Sequence, residues 1–238
     1  MRSITKAAEP VELRNWKQSM QNTPQNMTYG NLPGDVRDEI KKHLLREQGY
    51  LCAYTMLRLE DVGDCHIEHV QPQNAAPALD LDYANMAACF PWNGGDTSHG
   101  YGAPVKAGQV VVFNGNFVSP HSNNCENRFV YDADGGVRAC DGDNAARQTI
   151  EILELDHSTL AELRRSAIEA HGLSLRRKST RSARNLKSAA EARRFAAEVM
   201  QSRNGGELQP FCVALSQVAI EYAVKEEARA QRMRAQRS

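Results

Sequence analysis

Residues 64–72, DCHIEHVQP, constrain the fold of this chain more than any other stretch. HIEHV is short and β-branched enough to form a strand, and Pro72 ends it because proline has no amide hydrogen for a ladder. Side chains alternate along a strand, so His66 and Glu68 lie on one face and His69 on the other. An imidazole and a carboxylate on one face suit a shared divalent cation. His69 is then free to act as a base, provided that strand twist or a bend near Pro72 brings it to the same site.

Helical patterns flank this strand. Residues 11–20 predict a short helix, and residues 35–48 predict a second one with Asp35 as its N-cap and Gly49 as its stop. Between them and the helical C-terminal part lie a small helix from about residue 82, a strand within residues 109–120, and a hairpin with an Asp-Gly turn within residues 127–140. We therefore predict an α+β chain with an N-terminal arm and helix (1–48), a mixed core (49–143) and a helical C-terminal region (144–238).

The composition of the chain indicates its expected location and the expected roles of its cysteines. No run of 18 apolar residues occurs, so we expect no membrane span, and the first 16 residues lack the apolar stretch of a secretory signal. The expected location is therefore the cytoplasm. Six cysteines in a cytosolic chain are expected to be buried thiols or metal ligands rather than disulfides.

Charge is segregated although the net charge is zero. Residues 1–163 contain 13 Lys and Arg against 22 Asp and Glu, whereas residues 164–203 contain 11 against 3. The basic stretch 176–194 has two readings: a stripe that follows a phosphate backbone, or a solvated helix face or a linker paired with the acidic N-terminal half. On the first reading the backbone contacts are made by Arg176, Arg177, Lys178 and Arg181.

A single histidine on a strand is most often solvated or hydrogen-bonded, but here further polar residues follow in order. Asn85 lies in the predicted small helix, where it shares a face with Cys89. His99 follows in a glycine-rich loop. A site assembled from separate segments of the chain would draw on His69, Asn85 and His99, in this order.

The segments IEHVQP, LDYANMAAC and SHGYGAPVKAG, in this order, resemble the HNH (ββα-metal) nucleases. The match is closer to the PtuB family, the HNH subunits of Septu-type and retron-linked anti-phage systems, which GYLCAYTM and ILELDHSTLAELR also resemble. The resemblance covers roughly residues 1–165. It implies a small ββα-metal core at residues 49–143, embedded between helical segments. It also implies hydrolysis of nucleic-acid phosphodiesters, in DNA or in host RNA including tRNA.

The resemblance also implies roles for particular residues. His69 matches the general base, Glu68 the acidic position before it, Asn85 the middle asparagine that orients the base, and His99 the final histidine. Glu68 and His99, with His66 as an additional ligand, would hold a divalent metal such as Mg²⁺. The implied partners are a PtuA-like ATPase and, in retron systems, a reverse transcriptase with its RNA–DNA product.

The chain departs from the family at its cysteine pairs. Such proteins often hold a structural Zn²⁺ with two C-x-x-C pairs, but here Thr55 and Trp92 replace the second cysteine of each pair. Either Cys52, Cys65 and Cys89 rebuild a zinc knuckle with one histidine, or they are ordinary buried thiols, the reading that we favour because free cysteine is commonly buried. The 13 residues between Asn85 and His99 are also more than tighter versions of the motif contain.

Two other classes of function stay open on the sequence. One is a degenerate HNH domain that acts as a binding or scaffold module without catalysis. The other is a different metallo-hydrolase that uses His66 and His69 together as ligands. Loss of cleavage in a His69 variant separates catalysis from the first class, and tight stoichiometric zinc at the two histidines would favour the second.

Overall fold

The computed structural model describes residues 1–92, 94–173, 188–203 and 205–236. In these ranges the chain forms seven α-helices and two two-stranded antiparallel sheets, which confirms the α+β class. The helices are α1 (Val11–Ser19), α2 (Gly34–Glu47), α3 (Ala103–Lys106), α4 (Asn144–Leu153), α5 (Ser158–Ala170), α6 (Ala189–Glu198) and α7 (Cys212–Ala235). The strands are β1 (His66–His69), β2 (Met86–Cys89), β3 (Phe129–Tyr131) and β4 (Val137–Ala139). Short 3₁₀ turns lie at Pro24–Asn26, Tyr29–Asn31, Pro77–Leu79, Tyr83–Asn85 and Cys125–Arg128.

The first hairpin pairs β1 with β2, with His66 opposite Cys89 and His69 opposite Met86. The small helix predicted from residue 82 is wrong, because the single 3₁₀ turn Tyr83–Asn85 leads directly into β2. All four residues of β2 are buried, since the strand pairs with β1 and packs against α2. This tertiary pairing outweighs the helix propensity of the two alanines in the strand. Asn85 and Cys89 therefore do not share a helix face.

Gln48, just after α2, ties that helix to the second strand. Its buried side-chain amide accepts a hydrogen bond from the Ala88 N–H at 2.7 Å and donates to the Ala88 carbonyl at 2.8 Å. The N–H and the carbonyl of Ala88 in β2 thereby both find hydrogen-bond partners inside the protein, as buried backbone groups require. The hairpin is fixed against α2 by polar bonds as well as by apolar packing.

The ends of α2 confirm one prediction and correct another. The helix begins at Gly34 with Pro33 in the N-cap position, so Asp35 is not the cap but lies in the first turn, where a carboxylate interacts favourably with the helix dipole. The predicted stop is confirmed, because α2 ends at Glu47 and Gly49 follows with a φ of 59°. A left-handed residue after a helix is readily supplied by glycine.

The second hairpin, β3 with β4, confirms the strands predicted around the Asp-Gly turn. The strand predicted within residues 109–120 is wrong: in this fully described segment there is only an isolated bridge between Phe113 and Phe117. Val110 and Val112 are exposed there, and the Asn116 side chain accepts the Val112 N–H that a neighbouring strand would otherwise bind. The apolar residues form a turn with no partner strand.

The C-terminal helices predicted from residue 144 onward are confirmed as α4 to α7 within the described ranges. Helix α7 packs against α5, α6 and β3, and α4 contacts α3 and β4. One hydrophobic cluster contains residues from all parts of the chain, among them Leu13, Ile40, Val70, Ile150 and Leu215. The boundaries 1–48, 49–143 and 144–238 stay a prediction. No helix in the described ranges is long and apolar enough to cross a membrane.

Candidate active site

The loop end of the first hairpin brings His69 and Asn85 to one place. His69 is the last residue of β1, and Asn85 immediately precedes Met86, its partner in β2. Both side chains are only 6% exposed. The two residues are separated by 15 loop and turn residues in the sequence, and the antiparallel register returns the chain to the same end of the sheet.

Asn85 closes the loop that follows β1. Its Oδ1 accepts a hydrogen bond from the Gln71 N–H at 2.8 Å, and its Nδ2 donates to the Gln71 carbonyl at 2.9 Å. The Asn85 carbonyl also accepts the Val70 N–H at 2.9 Å. Asn85 thus binds the chain directly after His69 and fixes the backbone that carries the imidazole.

The hydrogen bond of His69 determines its tautomer. Its Nε2 lies 2.9 Å from the carbonyl oxygen of Asp80, which only accepts hydrogen bonds. Nε2 therefore bears the hydrogen, and Nδ1 of the neutral ring is the nitrogen that can take a proton. The Tyr29 ring packs against the imidazole in a T-shaped arrangement, with 4.7 Å between the centroids. His69 is thus a fixed imidazole with one basic nitrogen.

Glu68 is a partly buried carboxylate with a buried cation as its partner. The Lys106 ammonium donates to Glu68 Oε1 at 2.7 Å, and the Tyr54 hydroxyl donates to the same oxygen at 3.2 Å. Burial alone would raise the pKa of Glu68, but the interaction with His66 and the charge of Lys106 outweigh it and lower that pKa. Glu68 is therefore ionised at neutral pH.

His66 faces the other oxygen of the same carboxylate. Its Nδ1 donates to the Pro91 carbonyl, so Nε2 is the free nitrogen, and it lies 3.7 Å from Glu68 Oε2. Although burial opposes protonation, Glu68 and the Pro91 carbonyl raise the pKa of His66, because a lone pair facing a carboxylate attracts a proton. A divalent cation held by Nε2 and Oε2 would take the place of that proton as the positive charge beside the carboxylate. These two side chains fit a metal ion as a pair of protein ligands.

His99 lies apart from that pair. Its ring packs between those of Phe90 and Tyr101, with centroid distances of 5.1 Å and 4.4 Å, and its Nδ1 bonds to the Asp96 carbonyl. Across the described ranges, no group of three or more His, Cys, Asp or Glu side chains is placed to share a metal ion. The structure therefore brings Glu68 and His66 together but does not add His99 as a third ligand.

His66 and His69 do not form a joint site. The burial of β1 alternates, with His66 and Glu68 on the more open face and His69 on the buried face. Their ring nitrogens also have different surroundings, since His66 Nε2 faces Glu68, whereas His69 Nε2 is bound to the Asp80 carbonyl. The geometry gives no support to a metal centre built on these two histidines.

The cysteines at the broken pairs form a small buried group. Cys52 and Cys89 lie within hydrogen-bonding reach of each other, and Cys52 Sγ accepts the Phe90 N–H at 3.4 Å. Burial raises the pKa of Cys52, but hydrogen bonds from Cys89 and Thr55 outweigh it and lower that pKa. Cys65 bonds through its own Sγ to the Val62 carbonyl. Thr55 thus contacts Cys52 where the family pattern has a cysteine, and the three sulfurs are not arranged as a closed metal site.

A surface cleft of about 420 Å³ gives access to Glu68 and His69. The two side chains leave β1 on opposite faces, yet both line this cleft, as do Tyr29, Arg37 and the loop residues Pro72, Gln73, Asn74, Ala107 and Gly108. A larger cavity of about 590 Å³ lies near β4 and α4, but its Arg147 is paired with Glu151 and it contains none of the predicted site residues.

Two residues of this region are not indicated by the sequence. Lys106 stands in a glycine-rich segment read as a loop, and Arg37 lies in α2, about 30 residues before β1. The Arg37 Nη2 donates to the carbonyls of Tyr29 and Gly30, and its Nε has no hydrogen-bond partner. A single lysine or arginine has no spacing signal, so only the tertiary structure reveals either one.

The predicted backbone contacts Arg176, Arg177, Lys178 and Arg181 lie outside the described residues. The described end of the basic stretch begins α6, where Arg193 forms an ion pair with Glu227 of α7 at 2.8 Å. This pair joins two exposed side chains of α6 and α7, and both readings of the basic stretch stay predictions. No protein-family model matches the chain, and a search of curated proteins finds no match.

Proposed function

We propose that this protein is a metal-dependent endonuclease of the HNH type, in which His69 is the general base for hydrolysis of nucleic-acid phosphodiesters. The observation that supports this most is the hairpin end itself. An imidazole with its tautomer fixed by Asp80 and an ionised carboxylate line one cleft, and Asn85 holds the loop that follows His69. The short helix α3 follows this hairpin in the order strand, strand, helix that a ββα core requires.

Each side chain has a task in the proposed reaction. His69 Nδ1 takes a proton from the attacking water, since a histidine is suited to proton transfer near neutral pH. Glu68 Oε2 and His66 Nε2 would hold the divalent cation, most simply Mg²⁺, and a bound cation supplies stabilisation for the charge on the phosphoryl and leaving oxygens. His99 is not assigned to the metal, because no contact joins it to Glu68 or His66.

Arg37 is the substrate-binding residue that we add to this set. It lines the cleft beside His69, and its guanidinium is only partly engaged by backbone carbonyls. Arginine binds phosphate oxygens well because its donors form a rigid planar fork. Arg37 therefore suits the phosphate next to the scissile bond, and Arg37→Ala should raise KM more than it lowers kcat.

The setting follows from the resemblance to the PtuB family. We propose a role as the nuclease effector of an anti-phage defence system, together with a PtuA-like ATPase and, in a retron system, with a reverse transcriptase and its RNA–DNA product. DNA and host RNA, tRNA included, both remain substrates within this proposal.

The test is a cleavage assay on the purified protein, alone and with its ATPase partner. Plasmid DNA, phage DNA and total RNA are each incubated with Mg²⁺ and with EDTA. We expect cleavage with Mg²⁺ only, loss of cleavage in His69→Ala and Glu68→Gln, and full cleavage in His43→Ala, a histidine change on α2 outside the cleft. Cleavage that survives in His69→Ala contradicts the assignment of the base. Binding of nucleic acid without cleavage, unaffected by His69→Ala, would support the scaffold alternative instead.

A further inference from the structure

Lys106 is a buried cation at the centre of the candidate site. It is the last residue of α3, and its side chain is 0% exposed. The ammonium donates to Glu68 Oε1 at 2.7 Å and to the His69 carbonyl at 3.1 Å. Lysine is almost never fully buried unless it is paired, and both partners here are residues on which the proposed chemistry depends.

The position of Lys106 is set by another part of the chain. The Gly102 N–H, just before α3, donates to the carbonyl of Leu153 at the end of α4 at 2.7 Å. Gly102 has a φ of 78°, and a Cβ added there would lie 3.3 Å from a methyl group of Thr55. The start of the one-turn helix is thus tied to α4 and packed closely against Thr55, and its last residue reaches Glu68 from outside the hairpin.

We propose that Lys106 is a positioning residue that fixes the Glu68 carboxylate and the His69 peptide in one geometry. This inference rests on the proposed hydrolase function. A single ammonium bonded to both groups restrains the rotation of Glu68 and the orientation of the backbone that carries the imidazole. Because Lys106 is fully buried, its ammonium acts through these two residues and not by contact with a substrate in the cleft.

The two oxygens of Glu68 have different partners. Oε1 binds Lys106 and Tyr54, whereas Oε2 faces His66 Nε2. A metal ion held by Oε2 and His66 would therefore leave the lysine contact intact. Lys106 orients the carboxylate so that its second oxygen faces His66.

The chain offers a matched control in Lys6. Its ammonium also binds a carboxylate, Glu47 Oε2 at 2.7 Å, and a strand carbonyl, that of Met86 at 3.2 Å. Met86 is the register partner of His69. The two lysines thus hold the two strands at the same end of the hairpin, but only Lys106 contacts the proposed site.

The experiment compares Lys106→Met with Lys6→Met, since methionine keeps most of the side-chain volume and removes the charge. Steady-state cleavage is measured with Mg²⁺ on the nucleic acid that the wild-type protein cuts, and folding is monitored by circular dichroism. We expect kcat to fall 10- to 100-fold in Lys106→Met with KM within about twofold, the size of effect typical of residues that orient a ligand. In Lys6→Met kcat should stay within about twofold. An equal loss of kcat in both variants would overturn the inference.

A second readout needs no activity. In ¹⁵N-histidine-labelled protein at fixed pH, the ring signals of His69, assigned by their absence in His69→Gln, should move in Lys106→Met and stay in Lys6→Met. Unmoved signals in Lys106→Met reject the positioning role. If the wild-type protein is inactive, the proposed function fails while these spectra still decide the role of Lys106. If Lys106→Met does not fold, Lys106→Gln replaces it, with the same expected difference from Lys6→Met.

Discussion

Asn85 illustrates how one side chain fixes a residue that it does not touch. The two hydrogen bonds of its amide go to the peptide N–H and carbonyl groups of Gln71, two residues after His69. Because the amide is buried, water cannot replace either bond without an opening of the loop. The direction in which the chain leaves β1, and with it the setting of the imidazole, depends on this contact.

Asn85→Ala should therefore lower both stability and cleavage. Two buried peptide groups lose their partners, so we expect a loss of about 1–3 kcal/mol in the free energy of unfolding, measured with urea. Cleavage should fall at least about tenfold, since a displaced base is costly even when the displacement is small. Asn85→Asp is the matched control, because it keeps an acceptor for the Gln71 N–H but places a carboxylate oxygen against the Gln71 carbonyl. Its losses of stability and of cleavage should be only somewhat smaller than those of Asn85→Ala. Unchanged cleavage in Asn85→Ala would refute the orienting role.

His121, away from the cleft, makes a separate prediction about pH. Burial is the main cause that lowers its pKa to about 4, and the charge of Lys6 adds to the effect. Its Nε2 is buried without a hydrogen-bond partner. Between the ordinary value of 6.5 and the folded value near 4, the unfolded chain binds a proton that the folded chain does not. Stability therefore falls as the pH drops through this window.

His121→Gln should remove this part of the acid sensitivity. Urea midpoints measured at pH 7, 5.5 and 4.5 should decline less steeply in the variant than in the wild-type protein. His43→Gln, a histidine change on α2, serves as the control for the substitution itself. Parallel pH profiles for the wild type and His121→Gln would show that His121 is not the source.

At the scale of elements, the second hairpin meets α5 through a glycine. Gly135 in the turn between β3 and β4 has a φ of 84°, and a Cβ added there would lie 2.0 Å from the carbonyl oxygen of Ala161. The buried Arg164 of α5 donates from Nε to the Gly135 carbonyl at 2.6 Å and from Nη2 to the Leu155 carbonyl at 2.8 Å. The hairpin approaches the helix so closely that only glycine fits.

Gly135→Ala should lower the free energy of unfolding by more than the penalty for placing an alanine at a positive φ. Gly142 is a suitable control, because it also has a positive φ, 78°, but open space where a Cβ would lie. Gly142→Ala should cost about 1–2 kcal/mol, the penalty of a left-handed alanine. Gly135→Ala should cost at least about 2 kcal/mol more, because of the clash with α5. Equal values from urea unfolding would mean that the hairpin moves away from the helix without cost.

At the scale of the whole molecule, a single hydrophobic cluster joins the N-terminal arm, the hairpins and the C-terminal helices. Leu215 of α7 is 0% exposed, whereas Ile220 on the same helix is 44% exposed. Trp16 of α1 belongs to the same cluster. A core that is continuous in this way favours one cooperative unfolding transition.

Leu215→Ala tests this cooperativity. The buried truncation should cost about 2–5 kcal/mol, and Ile220→Ala should cost less than about 1 kcal/mol. In a Trp92→Phe background the fluorescence of Trp16 reports on the N-terminal part, and circular dichroism reports mainly on the helices. Leu215→Ala should shift both midpoints together. A shift in circular dichroism without a shift in Trp16 fluorescence would show that the C-terminal helices unfold on their own.

Much of the local structure was predictable from the sequence, because its causes are local. The stop of α2 at Gly49, the strand within HIEHV, the turn at Gly135 and the C-terminal helices all follow from turn chemistry and periodicity. The alternation that separates His66 and Glu68 from His69 in β1 is also a property of any regular strand. The role of His69 and the relation to the PtuB family stay predictions that the cleavage assay tests.

The tertiary structure decided what depends on residues distant in sequence. MAAC became β2 because β1 and α2 cover it, and residues 109–120 formed no strand because no neighbour pairs with them. The tautomer of His69 depends on Asp80, and the setting of Glu68 depends on Lys106, 38 positions away and held by α4. DCHIEHVQP supplied the chemical groups, but their orientation comes from hydrogen bonds and ion pairs with other elements, which no local pattern contains.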